Sequence, residues 1–233
     1  MHVHDILAPS RSGSAVKRLV VLGATALIAN SDASAKKWRR SSKPISVIPN
    51  GIDLTRFDPA AVPPVAVTAL RTELGLGSGP ILTIVGQVTP SKGQADAIDI
   101  ARLLRRHQPN AQLMIVGRAV FDSPASRFDN LAYELKLLSM ARALPDGAIV
   151  FAGERDDIPT VLAASDVLLV PSWMEPFGRV VVEGMAMGLP VFATRGGGPS
   201  EIITDGIDGV LLPLSRPDIW ASRIRALLAD EAA

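Results

Sequence analysis

Short runs of valine, isoleucine and leucine alternate with amphipathic stretches along most of this chain, and that alternation restricts its fold more than any other feature. The runs are ALIAN (26–30), ISVI (45–48), ILTIV (81–85), QLMIV (112–116), AIVF (148–151), DVLLV (166–170), LPVFA (189–193) and GVLL (209–212). Runs this apolar, with little polar alternation, fit strands buried on both faces. Between them QADAIDIARLLRRH, SRFDNLAYELKLLSMARAL, DDIPTVLAA, GRVVVEGMAMG and PDIWASRIRALLAD repeat their apolar residues at helical spacing. Strand and helix in alternation build right-handed βαβ units, so the expected fold class is α/β with a doubly wound parallel sheet. Six strands fall between 81 and 212, enough for one complete domain over 81–233. Residues 51–80 are rich in proline and glycine and read as an interdomain linker, with a helical turn or two around TALRTEL. Residues 1–50 hold one or two strands and two helical segments, the remnant or edge of a second domain.

Composition narrows the function classes. Hydrophobic residues make up 48% of the 233 and charged residues 20%, which excludes a disordered chain. Twenty-four basic against 23 acidic residues leave a net charge of +1, so no bulk attraction to nucleic acid or an anionic membrane is expected. Any anion site must be local. The absence of cysteine removes disulfides, thiolate nucleophiles and thiolate-bound zinc, and fits a reducing compartment. The start, MHVHDILAPSRSG, has no basic region followed by a long apolar one, and LVVLGATALIA (19–29) is too short to span a bilayer. A soluble chain is expected.

In an open parallel sheet, ligands bind at the carboxyl ends of the strands, where loops meet helix N-termini. The loop after ILTIV reads GQVTPSKGQ (86–94). Gly86 permits close approach of the backbone to a ligand, and Ser91 with Gln94 matches a capping box that opens a helix near Lys92. A lysine in a first helical turn opposes the helix dipole unless an anion lies between them, and a phosphate would be such an anion. A plain solvent-exposed lysine is the other reading. The loop is not a Walker A motif, and no G-x-G-x-x-G follows any expected strand.

The loop after DVLLV reads PSWMEPFG and leads into RVVVEGMAMG (171–188). Pro176 keeps Glu175 extended, so a helix should begin around Phe177 or Gly178. Arg179 and Glu183 are four apart and share a face, as a surface ion pair would, with Val181, Val182, Met185 and Ala186 as the core face. That pairing leaves Glu175 without a purpose. Two acceptor-only carboxylates at such a place suit vicinal hydroxyls, and the amides of Phe177 and Gly178 suit phosphate oxygens. After LPVFA, TRGGGPSEI (194–202) is either a tight turn or a further close approach to ligand, with Pro199, Ser200 and Glu201 opening a helix. His2 and His4 would share the face of an edge strand, and His107 reads as a helix end.

These segments resemble, in order, the carboxyl-terminal half of the retaining, nucleotide-sugar-dependent glycosyltransferases of the GT4 family, with their two-domain GT-B architecture. VIPNGID (47–53), VGQVTPSKG (85–93), QLMIVG (112–117), VFAGERDDIPTVLAASDVLLVPS (150–172), EPFGRVVVEGMAMGLPVFAT (175–194), GGGPSEII (196–203) and DGIDGVLL (205–212) carry the likeness, which runs over about 27–230. The pair of glutamates eight apart, with FG between, is its most specific part. The resemblance implies a Rossmann-like donor domain at 81–233, a partial N-terminal Rossmann-like domain at 1–50, and transfer of a sugar from a nucleoside diphosphate to an acceptor hydroxyl. It implies that Glu183 holds the donor ribose, that Glu175 faces the donor sugar with Phe177, Gly178 and Arg179 beside it, and that Lys92 neutralises the diphosphate. Gly86 and Gln87 would contact the donor, and Gly153 and Arg155 would lie where the base binds. It further implies no metal and no separate cofactor, a sugar, lipid or polysaccharide acceptor, no nucleic acid, and work in polysaccharide or glycolipid synthesis. The cytoplasm is the expected compartment, with the inner face of the membrane as an alternative station.

Two departures stand out. The family commonly has an arginine where this chain has Gln87, and a neutral amide supplies no charge to a phosphate. Against that architecture, most of an amino-terminal domain is expected to be missing, and the final helix reads as cut short. A binding module that needs a partner chain, and a nucleotide-sugar epimerase, are therefore alternatives.

Overall fold

The computed structural model describes residues 2–3 (backbone only), 18–36, 38–39, 41–119 and 129–230. Two parallel sheets organise them. The smaller has the order β1 (His2–Val3), β2 (Leu27–Ala29), β3 (Ile45–Val47), with helical residues 18–23 (α1) and α2 (Asp32–Lys36) beside it. It is closed by Ala24, Leu27, Ala29, Ala35 and Trp38. His2 falls on the edge strand as expected, whereas His4 lies outside the described residues. The sheet has three strands because a two-residue strand is defined by its neighbour, His2 against Ile28 and Val3 against Ala29, and hardly by its own sequence.

The larger sheet has six parallel strands: β4 (Ile81–Val85), β5 (Gln112–Val116), β6 (Ile149–Gly153), β7 (Val167–Val170), β8 (Val191–Thr194) and β9 (Val210–Leu212). Their order is β6-β5-β4-β7-β8-β9, the doubly wound α/β arrangement expected. The linking helices are α4 (Gln94–Leu104), α5 (Asn130–Arg142), α6 (Ile158–Ala163), α7 (Arg179–Ala186), α8 (Pro199–Ile202) and α9 (Pro217–Asp230). The central strands β4, β5, β7 and β8 are buried on both faces, while the edge strand β6 stays partly exposed, and successive residues of the central strands serve opposite cores. Leu82, Ile84, Leu113, Ile115, Val167, Leu169, Phe192 and Leu212 meet Ala97, Ile98, Ala101, Leu137, Trp220 and Ile224 of α4, α5 and α9. Leu168, Val170, Val191, Ala193 and Leu211 meet Leu162, Val181 and Met187 on the other face. This two-sided burial is why the strands read as continuous apolar runs.

Residues 51–80 are more than a connection. They carry a 3₁₀ turn at Pro59–Ala61 and a ten-residue helix, α3 (Pro64–Glu73), where a turn or two was expected. Leu70, 2% exposed, packs with Ile81, Met114, Val116, Val161 and Ala164, and Phe57 joins the core beneath Leu162 and Leu168. Proline placed at the first helical positions starts a helix instead of breaking one, which is what the composition of this stretch concealed. Buried polar groups are tied into the same frame. Thr83 Oγ1 and Ser165 Oγ are 2.6 Å apart, and Ser165 Oγ donates to Val161 O at 2.7 Å. Tyr133 Oη accepts from Ala95 N at 2.9 Å, and burial pushes its phenol up to about 12.

Candidate functional site

The chain runs from β4 outward to β5 and β6, then returns to place β7 on the other side of β4. Loops leaving the carboxyl ends of β4 and β7 therefore meet at this switch point, the place where sheets of this order form a ligand crevice. Residues 86–93 and 171–178 line it. The two loops touch backbone to backbone: Trp173 N donates to Ser91 O at 2.8 Å, and a Cβ on Gly93 would come well under 3.0 Å from Pro171 O. Gly93, at φ 78°, takes a conformation that suits glycine in any case.

This contact presents Lys92 to Glu175. Lys92 Nζ lies 2.6 Å from Glu175 Oε2, which also accepts from Ser172 Oγ at 3.2 Å. The two side chains are 30% and 10% exposed, so the pair sits at the wall of the crevice and is not a screened surface bridge. The anion expected near Lys92 is, in the protein by itself, the carboxylate of Glu175. The Lys92 stem passes beside Gly86, where a Cβ would lie 3.9 Å from Cδ and Cε. Gln87 is exposed; its carbonyl accepts from Gln94 Nε2 at 2.9 Å.

The capping box does not form. Pro90–Lys92 is a 3₁₀ turn, Gly93 is the N-cap, and α4 starts at Gln94. Ser91 thus stands too far upstream to cap, while Gln94 is wholly buried and bound to Gln87. Lys92 precedes the helix and does not belong to its first turn.

The loop after β7 is held as firmly. Gly178, at φ 96°, is the N-cap of α7, which begins at Arg179, one residue later than expected. Phe177 is buried, and the N–H groups of Phe177 and Gly178 find no acceptor among the described residues. Gly198 N donates to Glu175 O at 2.9 Å. A Cβ on Gly197 would clash with Glu175 O, and one on Gly198 with Phe177 O. Gly197 and Gly198 therefore serve close approach of two loops, whereas Gly196, at φ 140°, has open space around it.

Arg179 Nε donates to Glu183 Oε1 at 3.0 Å, the expected i, i+4 pair, with the arginine 70% exposed and the glutamate 10%. The seat of α7 differs from the expected face. Val181 is fully buried, but Val182, Met185 and Ala186 are half-buried and Gly184 makes the close contact with the sheet. A Cβ at Gly184 would meet Leu168 Cδ2 under 3.0 Å and Val191 Cγ2 at 3.2 Å. The missing side chain lets the helix sit low enough to draw Glu183 out of solvent.

Arg155 does not stand free for a base. Its Nε and Nη2 donate to Asp157 Oδ1 and Oδ2 at 2.8 and 2.9 Å, and Nη1 donates to Glu73 Oε1 of α3 at 2.7 Å. The guanidinium holds the Asp157 carboxyl below its ordinary value of 3.8, and the two carboxylates raise the arginine further. A bidentate fork of this kind fixes a loop. Arg56 Nη2 adds a bond to Asp156 O at 2.8 Å. Gly153, at φ 69°, ends β6 with its carbonyl bonded to Gly117 N and nothing within 4 Å of the place a Cβ would take. Arg118 and Glu154 pair across the neighbouring strand ends.

Lys92, Glu175, Gly86 and Gln87 thus gather at the crevice, Phe177, Gly178, Arg179 and Glu183 continue from it into α7, and Gly153 with Arg155 lies toward the β6 edge. Sequence reasoning missed Ser172, Ser31 and Glu201. Ser31 meets the site loop at Pro176 from 145 residues away in the chain, and Glu201 binds the amide next to Ser31, at Asp32, across 169. Local pattern carries no signal for such pairings. Among the described residues no three His, Asp or Glu side chains cluster as metal ligands, and no helix is long and apolar enough to cross a membrane.

The family model described as "Glycosyl transferases group 1" matches residues 68–233. The D-inositol 3-phosphate glycosyltransferase of Arthrobacter sp. (strain FB24) is 34% identical over 221 residues, 91% of this chain and 49% of the relative. That of Salinispora arenicola is 33% identical over 224 residues, 91% and 48% of the two chains. The chain therefore spans about half the length of these curated relatives. Anabaena Alr3699/HepE, solved with UDP and glucose and with UDP-glucose, superposes with a TM-score of 0.87 at 30% identity, over 99% of this chain and 62% of the other. A sucrose-phosphate synthase from Thermosynechococcus elongatus superposes at 0.74 and 26% identity, over 96% and 54%.

Proposed function

The chain belongs to the glycosyl transferases of group 1, and on that premise we propose that its six-stranded half receives a nucleoside-diphosphate sugar whose sugar is transferred, with retention, to an acceptor hydroxyl. One observation carries this: at the switch point of the sheet a lysine and a glutamate are paired at 2.6 Å, and a second glutamate follows on α7, with both carboxylate side chains 10% exposed. In this reading Glu183 accepts hydrogen bonds from the ribose hydroxyls and Glu175 accepts them from the donor sugar. The N–H groups of Phe177 and Gly178 donate to sugar or phosphate oxygens at the start of α7. Gly86 and Gln87 line the donor on the β4 side, and the base lies along the backbone at Gly153, with Arg155 holding that loop in shape.

The bond that breaks joins the anomeric carbon to a phosphate oxygen, and negative charge grows on the departing diphosphate. Lys92 meets that charge in a site shaped before the donor arrives, the condition under which an ammonium lowers a barrier most. No metal takes part in this scheme. The Anabaena structures with UDP and UDP-glucose support a uridine diphosphate donor. The acceptor proposed is a sugar, lipid or polysaccharide hydroxyl, in polysaccharide or glycolipid synthesis in the cytoplasm or at the inner face of the membrane. Residues 1–50 are proposed as part of the acceptor-side domain, completed by further chain or by a partner.

Calorimetry with UDP, GDP and ADP tests the donor site. Binding of one of them, lost in Glu183→Ala, is expected; if none binds, or if Glu183→Ala binds as the wild type does, the donor site is refuted. A second reading, a donor-binding module without turnover, is favoured by the neutral Gln87 where a second cation would stand. Transfer or donor hydrolysis by the purified chain excludes it.

A further inference from the structure

We infer that Ser31, oriented by Glu201, is a positioning residue for Glu175, reaching the crevice from the three-stranded sheet. Ser31 lies between β2 and α2 and is 1% exposed. Its Oγ accepts from Ser34 N at 2.9 Å, as an N-cap serine does. The hydroxyl proton remains to be donated, and it goes to Pro176 O at 2.5 Å. Pro176 directly follows Glu175. A serine that would ordinarily stop at capping its own helix thus ties that helix to the loop beside the crevice.

A second link holds Ser31 in register. The first two amides of α2, Asp32 N and Ala33 N, donate to Glu201 Oε2 and Oε1 at 2.8 and 2.7 Å. A carboxylate at a helix N-terminus satisfies donors that have no partner within the helix and complements the dipole. Glu201 belongs to α8, three residues past Gly198, and Gly198 N holds Glu175 O. The carbonyls before and after Pro176 are therefore both held, Glu175 O by the glycine turn and Pro176 O by Ser31. Sliding or rotating this segment breaks both bonds. With the backbone so fixed, the Glu175 side chain stays aimed at Lys92 and Ser172.

The inference rests on the donor-site reading in one step, that Glu175 faces the donor sugar. UDP and UDP-glucose binding are to be measured on the wild type, Ser31→Ala, Ser31→Thr and Glu201→Gln. Loss of one neutral hydrogen bond corresponds to about three- to tenfold in affinity, and that loss is expected in Ser31→Ala for UDP-glucose, with UDP unchanged. Ser31→Thr, which keeps the hydroxyl, restores it, and Glu201→Gln, which keeps one acceptor oxygen, falls between. Equal weakening of both ligands, no weakening, or failure of threonine to restore overturns the role. If the wild type binds neither ligand, the donor reading fails by itself, and melting temperatures decide the inference. Ser31→Ala and Glu175→Gln then shift the midpoint non-additively if Ser31 positions Glu175, and additively if it does not.

Discussion

Replacing Gly197 by alanine tests whether the glycine turn is built for close approach to the Glu175 loop. The residue has φ 61°, and an added Cβ would sit well under 3.0 Å from Glu175 O. That oxygen is backbone, pinned by Gly198 N at 2.9 Å, so it cannot swing aside as a side-chain terminus would. Gly188 is the matched control: its φ is 71°, yet nothing lies within 4 Å of its would-be Cβ. Alanine at either position must hold the left-handed conformation, at about 1–2 kcal/mol. Only Gly197→Ala adds the overpacking term, about 1–3 kcal/mol. With about 2–4 °C per kcal/mol for a domain of this size, the two variants should melt about 2–12 °C apart. Thermal denaturation followed by circular dichroism measures the difference. Since the loop that yields carries Glu175, UDP-glucose affinity should fall in Gly197→Ala and hold in Gly188→Ala. Equal melting temperatures would refute the reasoning, because the conformation alone would then explain the glycine.

Lys92→Met should weaken UDP binding by about 10- to 100-fold, the worth of a hydrogen bond to a charged group, while leaving uridine binding within about twofold; parallel loss for both would remove the diphosphate from its neighbourhood. The Asp157 carboxyl, held below 3.8 chiefly by its hydrogen bonds to Arg155, is depressed in the folded state, so its stabilisation is present above 3.8 and is lost as pH falls through the folded value. Asp157→Asn should accordingly melt below the wild type at neutral pH and converge with it in acid, as midpoints measured across a pH series would reveal; a gap that persists in acid contradicts the assignment.

Much of the fold was legible because burial on both faces leaves a direct mark on sequence. The strands Ile81–Val85 and Gln112–Val116 and the helix Pro217–Asp230 were readable residue for residue, since each is an unbroken apolar run or an apolar period bounded by its own turn residues. Residues 63–73 were harder: two prolines look like linker until they are seen at a helix start with Leu70 beneath them. The site divided in the same way. The carboxylates at 175 and 183, the lysine at 92 and the Arg179–Glu183 pair followed from local order, because loop, helix start and i, i+4 spacing are local properties. What Lys92 faces, which loop Gly197 and Gly198 admit, why Gly184 has no side chain and what occupies Arg155 were decided only by the tertiary structure. Each depends on a second segment brought in by strand order: Glu175 across the β4–β7 switch, the Glu175 and Phe177 carbonyls over Gly197 and Gly198, Leu168 under Gly184, Glu73 beside Arg155. The sequence by itself determined the elements and the chemistry each could offer; the parallel order of the sheet determined which of those groups meet, since it alone fixes which strand ends lie side by side.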